Sequence, residues 1–141
     1  MYRRIMVTLE NSPADRTIVD HVRRLAIHCG ASVVLIHVAD GWVARNIKQL
    51  HLRDSEEMRA DIEYLESVCS EFRSAGVQAE ALLGAGSPDK EIAEAAEREG
   101  CDLIAMATHG HKLVGDLVHG SVSHEVRHRS MIPVLLVRVK K

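Results

Sequence analysis

Aromatic side chains are scarce in this 141-residue chain, with one Phe, one Trp and two Tyr. Its core must therefore be packed from Val, Ile, Leu, Ala and Met, the aliphatic make-up of a parallel sheet buried on both faces. Cysteine is thin as well. Cys29, Cys69 and Cys101 are an odd number without the paired spacing of a zinc site. Each lies among apolar neighbours, which predicts buried free thiols in a reducing compartment. No apolar run approaches the ~18 residues of a membrane span, and the opening MYRRIMVTLE is too short in its apolar part for a signal peptide. The chain is therefore expected to be soluble and cytoplasmic. Nor does one sign of charge dominate: a net charge of −2 removes any whole-chain argument for nucleic acid or a membrane surface.

What is present is ordinary globular material, 46% hydrophobic and 27% charged, at a length that suits one domain spanning 1–141. The charge is unevenly placed. From Thr108 onward six basic side chains face only Asp116 and Glu125, and five of the nine His fall in or beside that stretch. A positive end on a mildly acidic chain suits a small anion better than a long polyanion.

Strand and helix signals alternate along the whole length. Ile5–Leu9 reads as a buried strand, and Ser12-Pro13 then caps a helix that runs to Cys29 and stops at Gly30. Ser32–Val38 is a second strand, and Ala39 to about His51, holding Trp42, an irregular cover. A long amphipathic helix follows from about Leu52 to Ala75, and Val77–Leu83 is a third strand. Ser87-Pro88 opens another helix, Asp102–Met106 is a fourth strand, Ser121–Arg129 a fourth helix and Pro133–Val139 a fifth strand. This alternation predicts an α/β fold, a doubly wound open parallel sheet with helices on both faces. Such sheets bind ligands beyond the carboxyl ends of their strands, where strand order reverses. With strand one beside strand four, the tips after Leu9, Val38 and Met106 share one crevice.

The segment MATHGHKLVGDLVHGSVSHEVRH carries the chemistry. A strand ends at Met106 and a glycine-containing connection leads to Gly120-Ser121-Val122. Gly110 and Gly120 allow close backbone approach, and a helix start at Ser121 offers free N–H groups, a hydroxyl and the positive dipole end. The same glycines and serine also serve as plain loop and cap residues. The loop is neither a Walker loop nor a dinucleotide fingerprint.

The MYRRIMVTLENSP opening, the LIHV strand, the GSPDKEIAEAAEREGCDLIAMATHG block and the GSVSHEVRHRSMIPVLLV close resemble the universal stress protein family from end to end. That resemblance implies strand order 3-2-1-4-5 and a homodimer through the strand Pro133–Val139. It also implies ATP or AMP as ligand, with Mg2+ accompanying the nucleotide. The family's glycine pattern matches at Gly110 and at Gly120-Ser121, while Ala107 replaces its first glycine. The implied contacts are Gly110, Gly120, Ser121 and Val122 on the phosphates and Val38 on the adenine. Met106, Ala107 and His109 flank the ribose and phosphates, and Thr8 and Glu10 stand at the end of strand one. Glu10 takes the place of the family's usual Asp. The function implied is a nucleotide-binding stress-response regulator without strong catalysis; the alternatives are a weak ATPase and a module with a vestigial pocket that binds a transporter or regulator partner.

No nucleophile is paired with a base and no carboxylate pair is placed for Mg2+-assisted transfer, so no catalytic residue is assigned. His124 and His128 share a helix face, as paired metal ligands can. Their spacing supplies two ligands and no obvious third, so these histidines are read as solvated groups and no metal site is assigned. Trp42 is read as packing against the domain rather than stacking on a base.

Overall fold

The computed structural model describes the backbone of residues 1–40, 51–109 and 114–139, and their side chains except at 39, 40, 51–55 and 114–121. Five strands and four helices alternate among these residues: β1 (Arg4–Thr8), α1 (Asp15–Cys29), β2 (Ser32–Asp40), α2 (His51–Ser74), β3 (Ala79–Gly86), α3 (Pro88–Arg98), β4 (Leu103–Thr108), α4 (Val114–Arg129) and β5 (Val134–Arg138). All strand pairs are parallel and the order is β3-β2-β1-β4-β5, as expected from the sequence. Trp42 lies outside the described residues.

The central strands are apolar on both faces because helices cover both. On one face Ile5, Val7, Val33, Leu35, Leu103 and Ala105 pack against Ile18 and Val22 of α1 and Leu65, Val68 and Phe72 of α2. On the other, Met6, Val34, Ile36, Ile104 and Met106 meet Ile92, Ala95 and Ala96 of α3 and Val126 of α4. Among the described residues the one Phe, Phe72, is the largest fully buried side chain, and its loss alone would cost about 3–5 kcal/mol.

Three of the four crossovers are closed by the same device. At Gly30, φ is 68°, the left-handed conformation that glycine adopts without penalty. The Gly30 N–H donates to Ile27 O at 3.4 Å and the Ala31 N–H to Ala26 O at 2.9 Å, so the helix's last carbonyls are satisfied as the chain turns into β2. The same pair of bonds recurs at Gly76 and Gly100.

Two helix starts differ from expectation. α1 begins at Asp15, because 12–17 first close i→i+3 bonds (Asp15 N–H to Ser12 O, 3.0 Å), a tighter turn than Pro13 at a helical first position implies. α4 begins at Val114 rather than Ser121. Val114, Leu117, Val118, Val122 and Val126 recur at three- and four-residue spacing, so the amphipathic pattern runs straight through Gly120. Gly120 and Ser121 are therefore inside a helix and do not offer a free N-terminus.

Candidate functional site

The reversal of strand order falls between β1 and β4, and a cavity of about 220 Å³ opens there at the carboxyl edge. Its walls come from successive elements. Thr8, Leu9 and Glu10 leave β1; Ile36, His37 and Val38 end β2; Met106 and Ala107 end β4; Pro88 and Ile92 come from the first turns of α3, and Val122 from α4. The lining is mostly aliphatic because Ile36, Ile92 and Met106 belong to the same cluster that fills the sheet's second face. The core simply stays open at this end.

Of the residues assigned from sequence, Thr8, Glu10, Val38, Met106, Ala107 and Val122 come together around this cavity. His109 joins them at the rim, its Nε2 2.9 Å from Glu10 Oε1. Ser12 donates its hydroxyl to the other Glu10 oxygen at 3.1 Å. Gly110 lies outside the described residues, as do the side chains at 120 and 121. Sequence reasoning did not assign Leu9, Ile36 and His37, neighbours of assigned residues on β1 and β2, and it missed the α3 wall of Pro88 and Ile92 altogether. The signal was available, since the Ser87-Pro88 start must sit at the carboxyl edge and Ile92 is one turn further on.

The loop after β1 is held by one buried carboxylate. Asp15 is 2% exposed and accepts the N–H groups of Glu10 and Asn11 at 2.9 Å, that of Ser12 at 3.3 Å, and the Tyr64 hydroxyl at 2.5 Å. Burial first, then that hydrogen bond and the carboxylate charge, push the Tyr64 pKa far above its usual value, so it remains a donor. Asn11 takes φ 64°, which Asn tolerates better than most residues, and donates its amide to Asp61 Oδ1 at 2.8 Å. His37 contacts Leu9 O through Nδ1 at 2.8 Å and stands 3.6 Å from Asp61 Oδ2. The first connection is thus rigid and its amide donors are occupied.

The third strand's connection is acidic. Asp89 and Glu91 fall in the first turn of α3, and the Asp89 pKa is held below its usual range by the Ser87 hydroxyl and by Arg129, against the opposing effect of burial. Among the described residues no group of three or more His, Cys, Asp and Glu is gathered as a metal ion would need, and no helix is long and apolar enough to cross a membrane.

A model of the Universal stress protein family matches residues 1–138. The chain belongs to this family. Among its relatives, a universal stress protein of Methanocaldococcus jannaschii is 26% identical over 99% of this chain and 97% of its own length. One of Thermus aquaticus is 30% identical over 98% of this chain and all of its own. The solved structure of that archaeal protein superposes with a TM-score of 0.86, covering all of this chain and 99% of its own. The fold is shared with a universal stress protein in complex with cAMP (TM-score 0.73, 20% identity) and one from Archaeoglobus fulgidus in complex with dAMP (0.70, 21%), each aligned over at least 96% of both chains.

Proposed function

We propose that this universal stress protein binds an adenine nucleotide at the carboxyl edge of its sheet and acts in the cytoplasm as a dimeric regulator of the stress response rather than as an enzyme. The observation that carries the reading is the aliphatic cavity at the β1/β4 reversal. The base enters the slot between Val38, Ile92, Met106 and Val122, the ribose lies by Ala107 and His109, and the phosphates run along the connection into α4. Elimination favours that route. The β1 loop has its N–H groups on Asp15, and α3 opens with carboxylates that repel an anion. Two connections are left, after β2 and after β4, and the one from 109 continues from Met106 and Ala107 of the cavity wall and carries Gly110. Gly110, Gly120 and Ser121 stay candidate phosphate contacts, and α4, starting at Val114 four residues after Gly110 in the sequence, offers a positive dipole end to the same anion. Two fold neighbours were solved with adenine nucleotides, cAMP and dAMP. Mg2+ arrives on the phosphates of ATP. The dimer forms along 133–139, and the protein partner is a transporter or a regulator.

Calorimetry tests this directly. ATP and AMP bind, and ATP differs less from GTP than from adenosine, because backbone donors to phosphate dominate a pocket without aromatic stacking. Val122→Trp fills the slot and abolishes the heat. Silence from ATP, ADP and AMP with folded protein removes the reading. The Glu10–His109 bond across the rim favours a second one, in which the pocket is vestigial and the protein is only a partner-binding module.

A further inference from the structure

His124 and His128 stand apart from the cavity. Both are exposed on α4, while Val126 between them is fully buried and Val122, one turn earlier, lines the nucleotide slot. At helical spacing the two rings therefore share the solvent side of α4, opposite the residues that face the sheet. Their Nε2 atoms are 3.1 Å apart, with ring centroids at 4.4 Å and planes inclined by 70°. Spacing alone offers a shared helix face; the structure adds that the two rings bring the same nitrogen, Nε2, together.

We propose that His124 and His128 form a two-point clasp for a divalent transition-metal ion that prefers imidazole: Zn2+, Cu2+ or Ni2+. Nitrogen ligands sit about 2.0–2.1 Å from such an ion, so two of them are about 2.9 Å apart at a right angle and about 3.4 Å apart at the tetrahedral angle. The observed separation lies between these values. An ion can take the place of the hydrogen bond with small ring rotations and no backbone movement, because the helix already fixes the two Cβ positions. Oxygen-preferring Mg2+ and Ca2+ are poorly served by two imidazoles, so this site is chemically distinct from any metal carried by a nucleotide. Among the described residues no third ligand joins the pair. The remaining coordination positions face solvent and take water, which makes the bound ion exchangeable. Affinity follows the usual order, with Cu2+ tightest.

The test uses full-length protein stripped with EDTA and dialysed, then titrated with Cu2+ alone and followed by calorimetry and electron paramagnetic resonance. Wild type takes up Cu2+ at a site whose spectrum carries two imidazole nitrogens. Losing a mere supporting group around a metal weakens binding roughly 10–100-fold, so His124→Ala and His128→Ala each raise Kd at least about tenfold and leave one nitrogen in the spectrum. Both positions are exposed, and circular dichroism checks that the variants are folded. His28→Ala, exposed on α1, changes neither readout. Equal Kd and an unchanged nitrogen pattern in the His124 and His128 variants overturn the proposal, and a failure of nucleotide binding leaves it standing.

Discussion

At the scale of single residues, Asp15 is the most consequential side chain outside the cavity. It satisfies three consecutive N–H groups and the Tyr64 hydroxyl at once. Each buried donor left without a partner costs about 1–3 kcal/mol. Asp15→Ala should therefore lower unfolding stability by about 3 kcal/mol or more in a urea titration, and Asp15→Asn, which keeps one acceptor oxygen, by less. A loss within the error of the titration would show that water replaces the carboxylate. The thiols supply a second expectation. Burial pushes the Cys69 pKa up and that of Cys101 to about 11, whereas Cys29 is partly exposed. Ellman's reagent at neutral pH should titrate one thiol in the native protein and three in urea, and Cys29→Ser should remove the native reaction. The buried settings of Cys69 and Cys101 were legible from apolar neighbours in the sequence, whereas Cys29, read as buried in the same way, lies partly exposed. The Asp15 cluster was legible only in part. Its backbone partners lie three to five residues before it and could have been inferred from a turn, but Tyr64 arrives from another helix by tertiary packing.

At the scale of elements, the second layer of helices is joined by one ion pair, Arg129 Nε to Asp89 Oδ2 at 2.8 Å, which links α4 to the start of α3. The folded Asp89 pKa is depressed, chiefly by the Ser87 hydroxyl. A depressed carboxyl stabilises the fold above its unfolded pKa and loses that contribution as pH falls through the folded value. The contribution is therefore complete above the ordinary value of 3.8 and disappears below it. Urea titrations of wild type and Asp89→Asn should differ at pH 7 and converge at the acid end; a gap that stays constant to pH 3 assigns the effect to packing instead. Element identities were readable throughout, since buried strands and amphipathic helices carry different periods. Boundaries were less so. Gly120 reads as the end of a loop with a helix starting at Ser121, because glycine is a weak helix former, yet the apolar spacing on either side of it keeps α4 continuous from Val114.

At the scale of the whole molecule, regular alternation made the parallel, doubly wound class legible, while the strand order was legible only through the family resemblance. The cavity's position followed from that order, while its α3 wall did not, because only the folded layers show which helix turn overhangs the sheet edge. Among the described residues β5 ends the sheet with one side unpaired, and Leu136 on it is 39% exposed. An apolar edge of this kind is a pairing template unless it is covered. Light scattering at micromolar concentration should give a dimer for wild type and a monomer for Leu136→Lys. A dimer that survives both this change and Leu135→Pro removes β5 from the interface. The division of the helices has a further effect while the chain is being made. α1 and α2, which cover one face of the sheet, lie wholly before β3 ends, whereas α3 and α4, which cover the other, follow it. A nascent chain that has emerged only as far as Gly86 can shield Ile5 and Leu35 but leaves Met6, Val34 and Ile36 without their helices. Until α3 and α4 clear the ribosome, that bare aliphatic surface is a binding site for chaperones and for other unfinished chains.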